Sequence, residues 1–493
     1  MATKLFKNFI NGQWIEPETN EYIDVENPST GEVIARSPLS NAADTERAIQ
    51  AAQTAFPAWR ATPVARRVEY LYALRNLIGA QEETIARILV EEMGKSLPDA
   101  RAELKRAIQN IEVACGMPVL QQGDKVVGAS FEMDGEVLRL PLGVFGMIAP
   151  FNFPAMVPFW FIPYALATGN TYIVKPSKQV PGTMQFLTQL IAQTGLPAGV
   201  FNIVNGDQTV AHALLDSPLI KGISIVGSTP VCKQIARKCA ETNKRFQAMG
   251  GAKNHLVVMP DTKIDDVVRN MITSCFGCAG QRCMAAAAIV CVGDELYKVV
   301  TERFIAAAKK VVVANPLDPK VADLEVVMGP VISAKAKQTI LGLIEDGVRE
   351  GATLALDGRN LKVAGSEGGH FIGPTVFTDV QPGMKIHRTE IFGPVVVMLK
   401  ADSLDEAIKI INQHEYGNGA SIYTQNGYYA RKFKLEAEVG MIGINVGIPA
   451  PVAYLPFGGM KASQFADIKT QGKAVINFFT EDKIITERYW EEA

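Results

Sequence analysis

The chain has 493 residues, of which 48% are hydrophobic and 20% are charged, and its formal net charge is −2. One hydrophobic core stops growing at about 250–300 residues, so we expect two or three domains. The near-neutral charge excludes the basic surface of a nucleic-acid-binding protein. The most apolar stretch, 156–167, is too short for a membrane span and holds two prolines.

The N-terminal residues and the cysteines indicate the compartment. The N-terminus lacks an apolar targeting core. Seven cysteines in so long a chain do not indicate a disulfide framework. We therefore expect a cytoplasmic protein with no nucleic-acid partner and no membrane partner.

The first part of the chain predicts short strands followed by helices. The runs 9–15 and 25–34 alternate around turn residues. Apolar residues three and four apart predict amphipathic helices over 42–61, 64–92 and 97–115. Arg106 lies in the last of these among other charged residues, where a solvated helix face is an equally good interpretation.

From residue 140 onward, strands alternate with helices. Such alternation with apolar strands predicts a parallel sheet covered on both faces, which is typical of nucleotide-binding proteins. The predicted strands are 143–149, 171–175, 200–204 and 222–226, and the predicted helices are 154–168, 182–194, 208–215 and 230–241.

The usual dinucleotide fingerprint G-x-G-x-x-G does not follow the first of these strands. A turn of small residues, Gly227 and Ser228, instead follows the strand 222–226 and opens a helix. Free N–H groups at a helix N-terminus bind anions, so this turn is a candidate pyrophosphate site. Ser228 equally fits a simple helix cap.

A glycine-rich stretch, 249–255, predicts a domain boundary. After it the alternation resumes, with a strand at 395–399 and then a tail of strands and turns. Helices are predicted over 264–275, 295–312, 334–351 and 404–414.

The stretch 276–284, Phe-Gly-Cys-Ala-Gly-Gln-Arg-Cys-Met, lies between the helix 264–275 and an apolar strand. Its glycines permit an unusual backbone and a close substrate approach. A thiol at such a turn, Cys283, suits nucleophilic attack on a carbonyl while its own N–H faces the oxyanion. Arg282 would attract an anionic substrate and favour the thiolate. A buried structural cysteine is the alternative for this turn taken alone.

Along nearly its whole length the sequence resembles the aldehyde dehydrogenase superfamily. The motifs that carry this resemblance are Pro150-Phe-Asn-Phe-Pro154, Lys175-Pro-Ser177, Val226-Gly-Ser228, the Cys283 turn, Glu390-Ile-Phe-Gly-Pro394 and Pro456-Phe-Gly-Gly459. Within the superfamily it is most similar to the CoA-acylating methylmalonate-semialdehyde dehydrogenases. That similarity is carried by Phe151-Asn-Phe-Pro-Ala-Met-Val-Pro158, Gly251-Ala-Lys-Asn-His255, Val257-Val-Met-Pro-Asp261 and Ala279-Gly-Gln-Arg-Cys-Met284.

The resemblance implies an α/β fold with a Rossmann-type cofactor domain, an α/β catalytic domain and a small oligomerisation arm. It implies that Cys283 forms a thiohemiacetal and then a thioester, with Asn152 stabilising the oxyanion. Lys175 and Glu390 would hold the two riboses of NAD or NADP, and Phe392 would pack beside the nicotinamide. The implied cofactor-binding residues are Ala149, Phe151, Lys175, Ser177, Lys178, Gly227, Ser228, Glu390 and Phe392.

The resemblance also bears on how the thioester is resolved. Hydrolytic members carry a glutamate 34 residues before the cysteine, and counting back from Cys283 ends at Met249, after Ala248. Neither side chain accepts a proton, and general-base help is typically worth ~10²–10⁴-fold. The resemblance therefore implies CoA as cosubstrate. A hydrolytic dehydrogenase with water activated elsewhere is the alternative, and Pro456-Phe-Gly-Gly459 looks more like the hydrolytic members.

Two arginines, Arg106 and Arg282, match those that hold the substrate carboxylate in the acylating group. Arginine binds carboxylates in two-point fashion, so a small anionic semialdehyde such as malonate or methylmalonate semialdehyde is implied. A sulfonate or phosphate would satisfy the same pair. Lys178 replaces a glutamate usual in NAD-preferring members, so NADP use and a solvent-directed lysine both stay open.

The expected division is 1–118 with 139–248 for the cofactor domain, 249–440 for the catalytic domain, and 119–138 with 441–493 for bridging segments. The arm is expected at 119–138 with strands near 475–480, and the resemblance implies a homodimer or homotetramer. We expect no metal site, because Cys275, Cys278 and Cys283 lack the spacing of zinc ligands. A non-catalytic protein on this fold is the alternative from another class.

Overall fold

A computed structural model describes residues 4–321, 324, 327–449 and 452–490. The parts of the predicted segments 1–118, 249–440 and 441–493 that fall elsewhere lie outside the described residues. Among the described residues, no helix is long and apolar enough to cross a membrane.

The strands, in chain order, are β1 Lys4–Leu5, β2 Asn8–Ile10, β3 Gln13–Ile15, β4 Tyr22–Glu26, β5 Val33–Pro38, β6 Lys125–Ser130, β7 Met133–Pro141, β8 Val144–Ile148, β9 Thr171–Lys175, β10 Phe201–Ile203, β11 Ile220–Val226, β12 Arg245–Met249, β13 Asn254–Val258, β14 Ala286–Val292, β15 Val312–Val313, β16 Val327–Met328, β17 Thr353–Leu356, β18 Thr375–Thr378, β19 Val395–Ala401, β20 Tyr416–Gly417, β21 Gly419–Tyr423, β22 Met441–Ile444, β23 Met460–Lys461, β24 Gln464–Phe465 and β25 Thr480–Arg488.

The α-helices are α1 Ala42–Ala61, α2 Val64–Ala80, α3 Glu82–Met93, α4 Leu97–Cys115, α5 Met117–Leu120, α6 Met156–Phe159, α7 Ile162–Thr168, α8 Gly182–Gln193, α9 Gln208–Asp216, α10 Thr229–Glu241, α11 Ile264–Phe276, α12 Asp294–Ala308, α13 Ala334–Arg349, α14 Lys385–Arg388, α15 Leu404–Gln413, α16 Gly427–Glu436 and α17 Ala474–Phe479. A 3-10 turn follows α11 at Gly277–Gly280.

The first large sheet has the strand order β24-β12-β11-β8-β9-β10-β2-β3. Its central strands β8 to β12 are parallel, and the outer strands β24, β2 and β3 pair antiparallel. The central strands are buried because helices cover both faces, as their continuous apolar runs predict. Their carboxyl ends therefore meet at one edge, where ligands bind in such sheets.

The second large sheet has the strand order β17-β18-β19-β14-β13-β21-β22, and it is parallel except at β17. It contains the apolar strand that follows Cys283. The two sheets and their helices confirm the predicted α/β class.

The third sheet pairs β6, β7 and β25. Its surface carries large apolar side chains that are almost fully exposed, including Val127 at 77%, Phe131 at 83% and Ile484 at 78%. The prediction of strands near 475–480 is wrong, because residues 474–479 form α17 and the strand begins at Thr480. Four apolar side chains of α17 are buried in the core, so this segment packs inside the protein as a helix.

Most of the predicted elements are confirmed, but two of the predicted helices are divided. The predicted helix 64–92 breaks at Gln81 into α2 and α3. The predicted helix 154–168 is two short helices, α6 and α7, in a segment that contains three prolines. The strand β12 was not predicted.

Helix α4 begins at a well-formed cap, and it positions several site residues. The Ser96 hydroxyl accepts a hydrogen bond from the Asp99 N–H, and a proline occupies the first turn. Its buried face contains Ala100, Glu103, Leu104 and Ala107, at helical spacing. A glutamate therefore lies on the face that packs against the protein interior.

Candidate active site

The turn before Cys283 has a strained backbone. Cys278 and Ala279 have φ values of 50° and 52°, and Gly280 has 71°. A Cβ at Gly280 would lie 2.1 Å from the carbonyl oxygen of Gly393, so only glycine fits there. Left-handed conformations at residues other than glycine cost about 1–3 kcal/mol each and concentrate at functional sites.

The carbonyl oxygen of Cys283 is held from the second sheet. The side-chain amides of Asn254 and Asn418 donate to it at 2.8 and 2.9 Å. These contacts fix the peptide that follows the thiol, and neither asparagine was predicted as a site residue. Both lie next to strand ends, at the start of β13 and between β20 and β21.

Asn152 is buried beside the same turn. Its side-chain amide donates to the carbonyl oxygen of Gln281 at 3.0 Å, two residues before Cys283. The Gln281 amide oxygen in turn accepts the Ile332 N–H at 2.9 Å. The two predicted catalytic residues are thus brought to the same turn.

A cavity of about 280 Å³ opens onto Cys283. Arg106 and Arg282 both line it, so the predicted carboxylate-binding pair lies in the same cavity as the predicted nucleophile. The other lining residues are Asp99, Ala102, Glu103, Phe153, Met156, Trp160, Ser274, Met284 and Ile448.

The two arginines have different partners. Arg282 forms an ion pair with Asp99, whose other carboxylate oxygen accepts the Cys278 N–H at 3.3 Å. Arg106 donates to the amide oxygen of Gln109 at 2.9 Å. Asp99 was not predicted as a site residue.

A second cavity, of about 490 Å³, lies at the carboxyl ends of β8 and β9. Ala149, Lys175, Ser177 and Lys178 line it together with side chains of α9 and α10. The Lys175 ammonium donates to the carbonyl oxygens of Pro176 and Gly206, and burial lowers its pKa to about 8. Lys178 is exposed at the rim.

Gly227 and Ser228 precede α10, whose residues Val231, Gln234 and Ile235 line this second cavity. Ser228 is the N-cap, but its side chain makes no capping hydrogen bond. Free backbone donors at the start of a 13-residue helix suit an anionic ligand.

Glu390, Phe392 and Phe151 meet on the Cys283 side of the molecule. The Glu390 carboxylate accepts the Ala252 N–H at 2.9 Å, and burial raises its pKa to about 7. The rings of Phe151 and Phe392 pack edge to face with centroids 5.7 Å apart. Phe392 has a φ of 56°, which is unusual for an aromatic residue.

The Cys283 thiol is half-buried. Burial, followed by the Glu390 carboxylate, raises its pKa to about 12. Arg282 opposes this shift. A thiol with a pKa this high is mostly protonated at neutral pH, so the reactive thiolate is a minor form.

Ala248 and Met249 end β12 with buried side chains that offer no proton acceptor. The glycines that follow are packed closely. A Cβ at Gly250 would lie 2.7 Å from the Thr229 hydroxyl, and one at Gly251 would lie 2.4 Å from the Glu390 carboxylate. Gly250 would also meet the carbonyl oxygen of Ala462 at 2.9 Å and therefore requires glycine, whereas a side chain at Gly251 would displace the Glu390 carboxylate.

The sequence pattern of the Aldehyde dehydrogenase family matches residues 14–485. The chain belongs to the aldehyde dehydrogenase family. It is 42% identical to "Malonate-semialdehyde dehydrogenase 1" of Geobacillus kaustophilus over 487 residues, which are 99% of this chain and 98% of that protein.

Two solved structures of aldehyde dehydrogenases are also similar. One, from Oceanimonas doudoroffii, is a methylmalonate-semialdehyde dehydrogenase with a TM-score of 0.96 and 39% identity, covering 100% of this chain and 99% of that chain. The other, from Sinorhizobium meliloti, is provisionally described as a methylmalonate-semialdehyde dehydrogenase and is complexed with NAD. It has a TM-score of 0.97 and 38% identity, with coverage of 100% and 99%.

In this aldehyde dehydrogenase a buried ion pair supports the loop that carries Asn152. The Lys95 ammonium contacts the Glu103 carboxylate and donates to the Asn152 carbonyl oxygen at 2.7 Å. The other Glu103 oxygen accepts the N–H groups of Ala155 and Met156 at 2.8 and 3.0 Å. The pair therefore holds the loop at both ends. Neither Lys95 nor Glu103 was predicted as a site residue.

Three histidines pack against one another. The ring centroids of His255, His387 and His414 lie 5.1–5.3 Å apart, and the Nε2 atoms of His255 and His387 are 2.9 Å apart. Burial and the neighbouring charges lower the pKa of His387 to about 3 and that of His414 to about 4. Among the described residues, no group of three or more His, Cys, Asp or Glu side chains could hold a metal ion. The seven cysteines are free thiols.

Proposed function

We propose that this chain oxidises a small semialdehyde that carries a carboxylate, such as malonate or methylmalonate semialdehyde, with NAD or NADP, and transfers the acyl group to CoA. The observation that carries the proposal is the cavity that contains Cys283, Arg106 and Arg282 together. The names of the similar proteins from Geobacillus kaustophilus and Oceanimonas doudoroffii agree with it.

In the proposed reaction the Cys283 thiolate attacks the aldehyde carbon, and the aldehyde oxygen becomes an oxyanion. The Asn152 side-chain amide and the Cys283 N–H would stabilise it, and one such donor is typically worth ~3–4 kcal/mol. Arg106 and Arg282 would hold the substrate carboxylate by paired hydrogen bonds. Loss of a hydride then leaves a thioester on the Cys283 sulfur.

The second cavity fits a dinucleotide, because it lies at the carboxyl ends of parallel strands beside the N-terminus of α10. The bound cofactor supplies a hydride acceptor. Lys175 and Glu390 would bind its riboses, the turn at Gly227 and Ser228 its pyrophosphate, and Phe392 would pack beside the nicotinamide. Ala149, Phe151, Ser177 and Lys178 complete the proposed site. Because Lys178 lies at the cavity rim, initial rates with NAD and NADP need to be compared directly.

The choice of CoA over water rests on the side chains at the end of β12. Neither Ala248 nor Met249 accepts a proton, and a thiol nucleophile needs far less activation than water. Hydrolysis is the second candidate because Glu390, with a pKa raised to about 7, acts electrostatically on Cys283. A carboxylate of that pKa is a competent general base at neutral pH.

The test is steady-state NAD(P)H formation from malonate and methylmalonate semialdehydes, with and without CoA, with the product identified by mass. A CoA-dependent rate that yields acyl-CoA supports the proposal. Equal turnover without CoA, giving the free acid, contradicts acyl transfer and favours the Glu390 alternative. Cys283→Ala is the control for non-enzymatic reduction of the cofactor.

We also propose that the chain forms a homodimer or homotetramer in the cytoplasm. Residues 1–118 and 139–248 would form the cofactor domain, 249–440 the catalytic domain, and 119–138 with 441–493 the bridging segments. The exposed apolar side chains of β6, β7, β25 and the turn between β6 and β7 support this arrangement, because apolar patches of this kind mark interaction sites. Phe131→Asp should lower the mass measured by light scattering, whereas Tyr428→Asp, at an exposed residue on α16, should not.

A further inference from the structure

We propose that Asp99 determines which anions the substrate cavity accepts, by limiting its positive charge so that aldehydes with one negative charge are preferred over those with two. The inference rests on the proposed function, because it takes the cavity at Cys283 as the aldehyde site.

The charges around the cavity come from two elements. Helix α4 presents Asp99, Glu103 and Arg106, and the nucleophile turn presents Arg282. Glu103 is matched by Lys95 and by two backbone N–H groups, so it adds no uncompensated charge. Two arginines and one aspartate are left, so the cavity has one positive charge in excess.

Asp99 lines the cavity, and two contacts hold its carboxylate there. Its carboxylate contacts the Arg282 guanidinium and the Cys278 N–H, and its side chain and that of Arg282 each keep 23% of their exposure. Burial alone would raise the pKa of Asp99, but Arg282 and Lys95 hold it below its ordinary value. The carboxylate therefore stays ionised at neutral pH.

The Arg282 side chain is closely packed in this arrangement. Its guanidinium lies against Gly277, where a Cβ would come within 2.3 Å of Nη1. Its Nε is buried and has no hydrogen-bond partner. A substrate anion would thus meet Arg282 already paired with the Asp99 carboxylate. Within the described residues Arg106 forms no ion pair, so its charge is available to the anion. A singly charged group satisfies Arg106, whereas a second negative charge would also lie close to the Asp99 carboxylate.

Two aldehydes of the same length separate charge from shape. Sulfoacetaldehyde and phosphonoacetaldehyde both carry a tetrahedral oxyanion next to one methylene group. The sulfonate has one charge, and the phosphonate has two above the second pKa of a phosphoryl group, about 6. The measurement is the ratio of their kcat/KM values at about pH 8, with malonate semialdehyde and propanal as reference substrates.

The wild-type enzyme should prefer the sulfonate, and Asp99→Asn should reduce this preference about tenfold, as expected for removing one charge near the ligand at an effective dielectric constant of about 20. Asparagine keeps the shape and one carbonyl oxygen for the Cys278 N–H. Asp99→Glu should restore the preference. Asp294→Asn removes a carboxylate from an exposed ion pair with Lys400 and should leave the ratio unchanged.

A measurement on the wild-type enzyme tests the same idea without a variant. Below about pH 6 the phosphonate becomes singly charged, so its kcat/KM relative to the sulfonate should rise. An unchanged ratio in Asp99→Asn, or a wild-type ratio that does not vary with pH, overturns the role of Asp99 and leaves the proposed function standing. Oxidation of propanal without oxidation of any anionic aldehyde would contradict both the role of Asp99 and the proposed function.

Discussion

The ion pair between Lys95 and Glu103 gives the most demanding test of how this site is built. Both side chains are fully buried, and the ammonium also lies 4.1 Å from the centroid of the Phe153 ring. Lys95→Met keeps the length of the side chain and removes its charge. Glu103 then remains as a buried carboxylate that, among the described residues, keeps two backbone N–H groups as hydrogen-bond donors.

Removing one partner of a buried ion pair typically costs ~3–5 kcal/mol, whereas replacing both partners with neutral residues of similar volume is close to neutral. The two backbone donors favour the lower end, about 3 kcal/mol. In a domain of 150–250 residues, 1 kcal/mol shifts the melting temperature by about 2–4 °C. We therefore expect Lys95→Met to melt about 6–12 °C lower, and the double variant with Glu103→Gln to recover most of this loss.

The same variant should impair turnover, because Lys95 holds the carbonyl of Asn152. A displaced oxyanion donor typically costs ~10²–10³ in kcat, and a loosened one less. We expect kcat for malonate semialdehyde to fall at least about tenfold, with a smaller change in KM. Lys105→Met, at an exposed position on the same helix, is the control. Melting of Lys95→Met at the wild-type temperature, or unchanged kcat, would refute this account of the loop.

Two further predictions concern titration. Because burial raises the pKa of Cys283 to about 12, its alkylation by iodoacetamide should still accelerate above pH 10, whereas an ordinary thiol levels off above its pKa of about 8.5; a plateau near pH 9 would contradict the shift. His387 has a pKa of about 3 in the folded protein and about 6.5 in the unfolded chain. As the pH falls, the unfolded chain therefore binds this proton first. Stability that is fully present above pH 6.5 is lost as the pH falls toward 3. Melting temperatures between pH 7.5 and 5 should therefore fall less steeply in His387→Gln than in the wild type, while the exposed His212→Gln should follow the wild type.

Local sequence patterns predicted much of this fold correctly, because its strands and helices show the expected spacing of apolar residues. The buried parallel strands read as short apolar runs, and β9 has the predicted bounds 171–175. The α17 segment shows the limit of this reasoning. Its β-branched and aromatic residues have strand propensity, but the buried environment makes 474–479 helical and only Thr480 begins the strand.

The site residues that were missed share one physical property, because their roles depend on partners far away in sequence. Asp99 contacts a residue 183 positions later, and Lys95 contacts Asn152, 57 positions later. Glu103 had a local signal that was available. It lies three residues after Ala100 and four before Ala107, so the helical period assigns it to the buried face. A charged residue on such a face needs a partner, and this requirement alone identifies it as a candidate.

Helix α4 therefore carries residues with two proposed roles, in anion binding and in support of the Asn152 loop. Asp99, Glu103 and Arg106 follow one another at four- and three-residue spacing, so they project from one side of a single rigid element. In the proposed reaction Asp99 and Arg106 would set the charge that a substrate meets, while Glu103 holds the backbone of the loop that carries Asn152. We therefore expect a small shift of α4 to change anion binding and the position of the proposed oxyanion donor together. The carbonyl of Cys283, in contrast, is fixed by Asn254 and Asn418 from the second sheet. The contacts of Asp99 with Arg282 and Cys278 join α4 to the turn that carries Cys283, so the proposed geometry of catalysis depends on how these two elements pack.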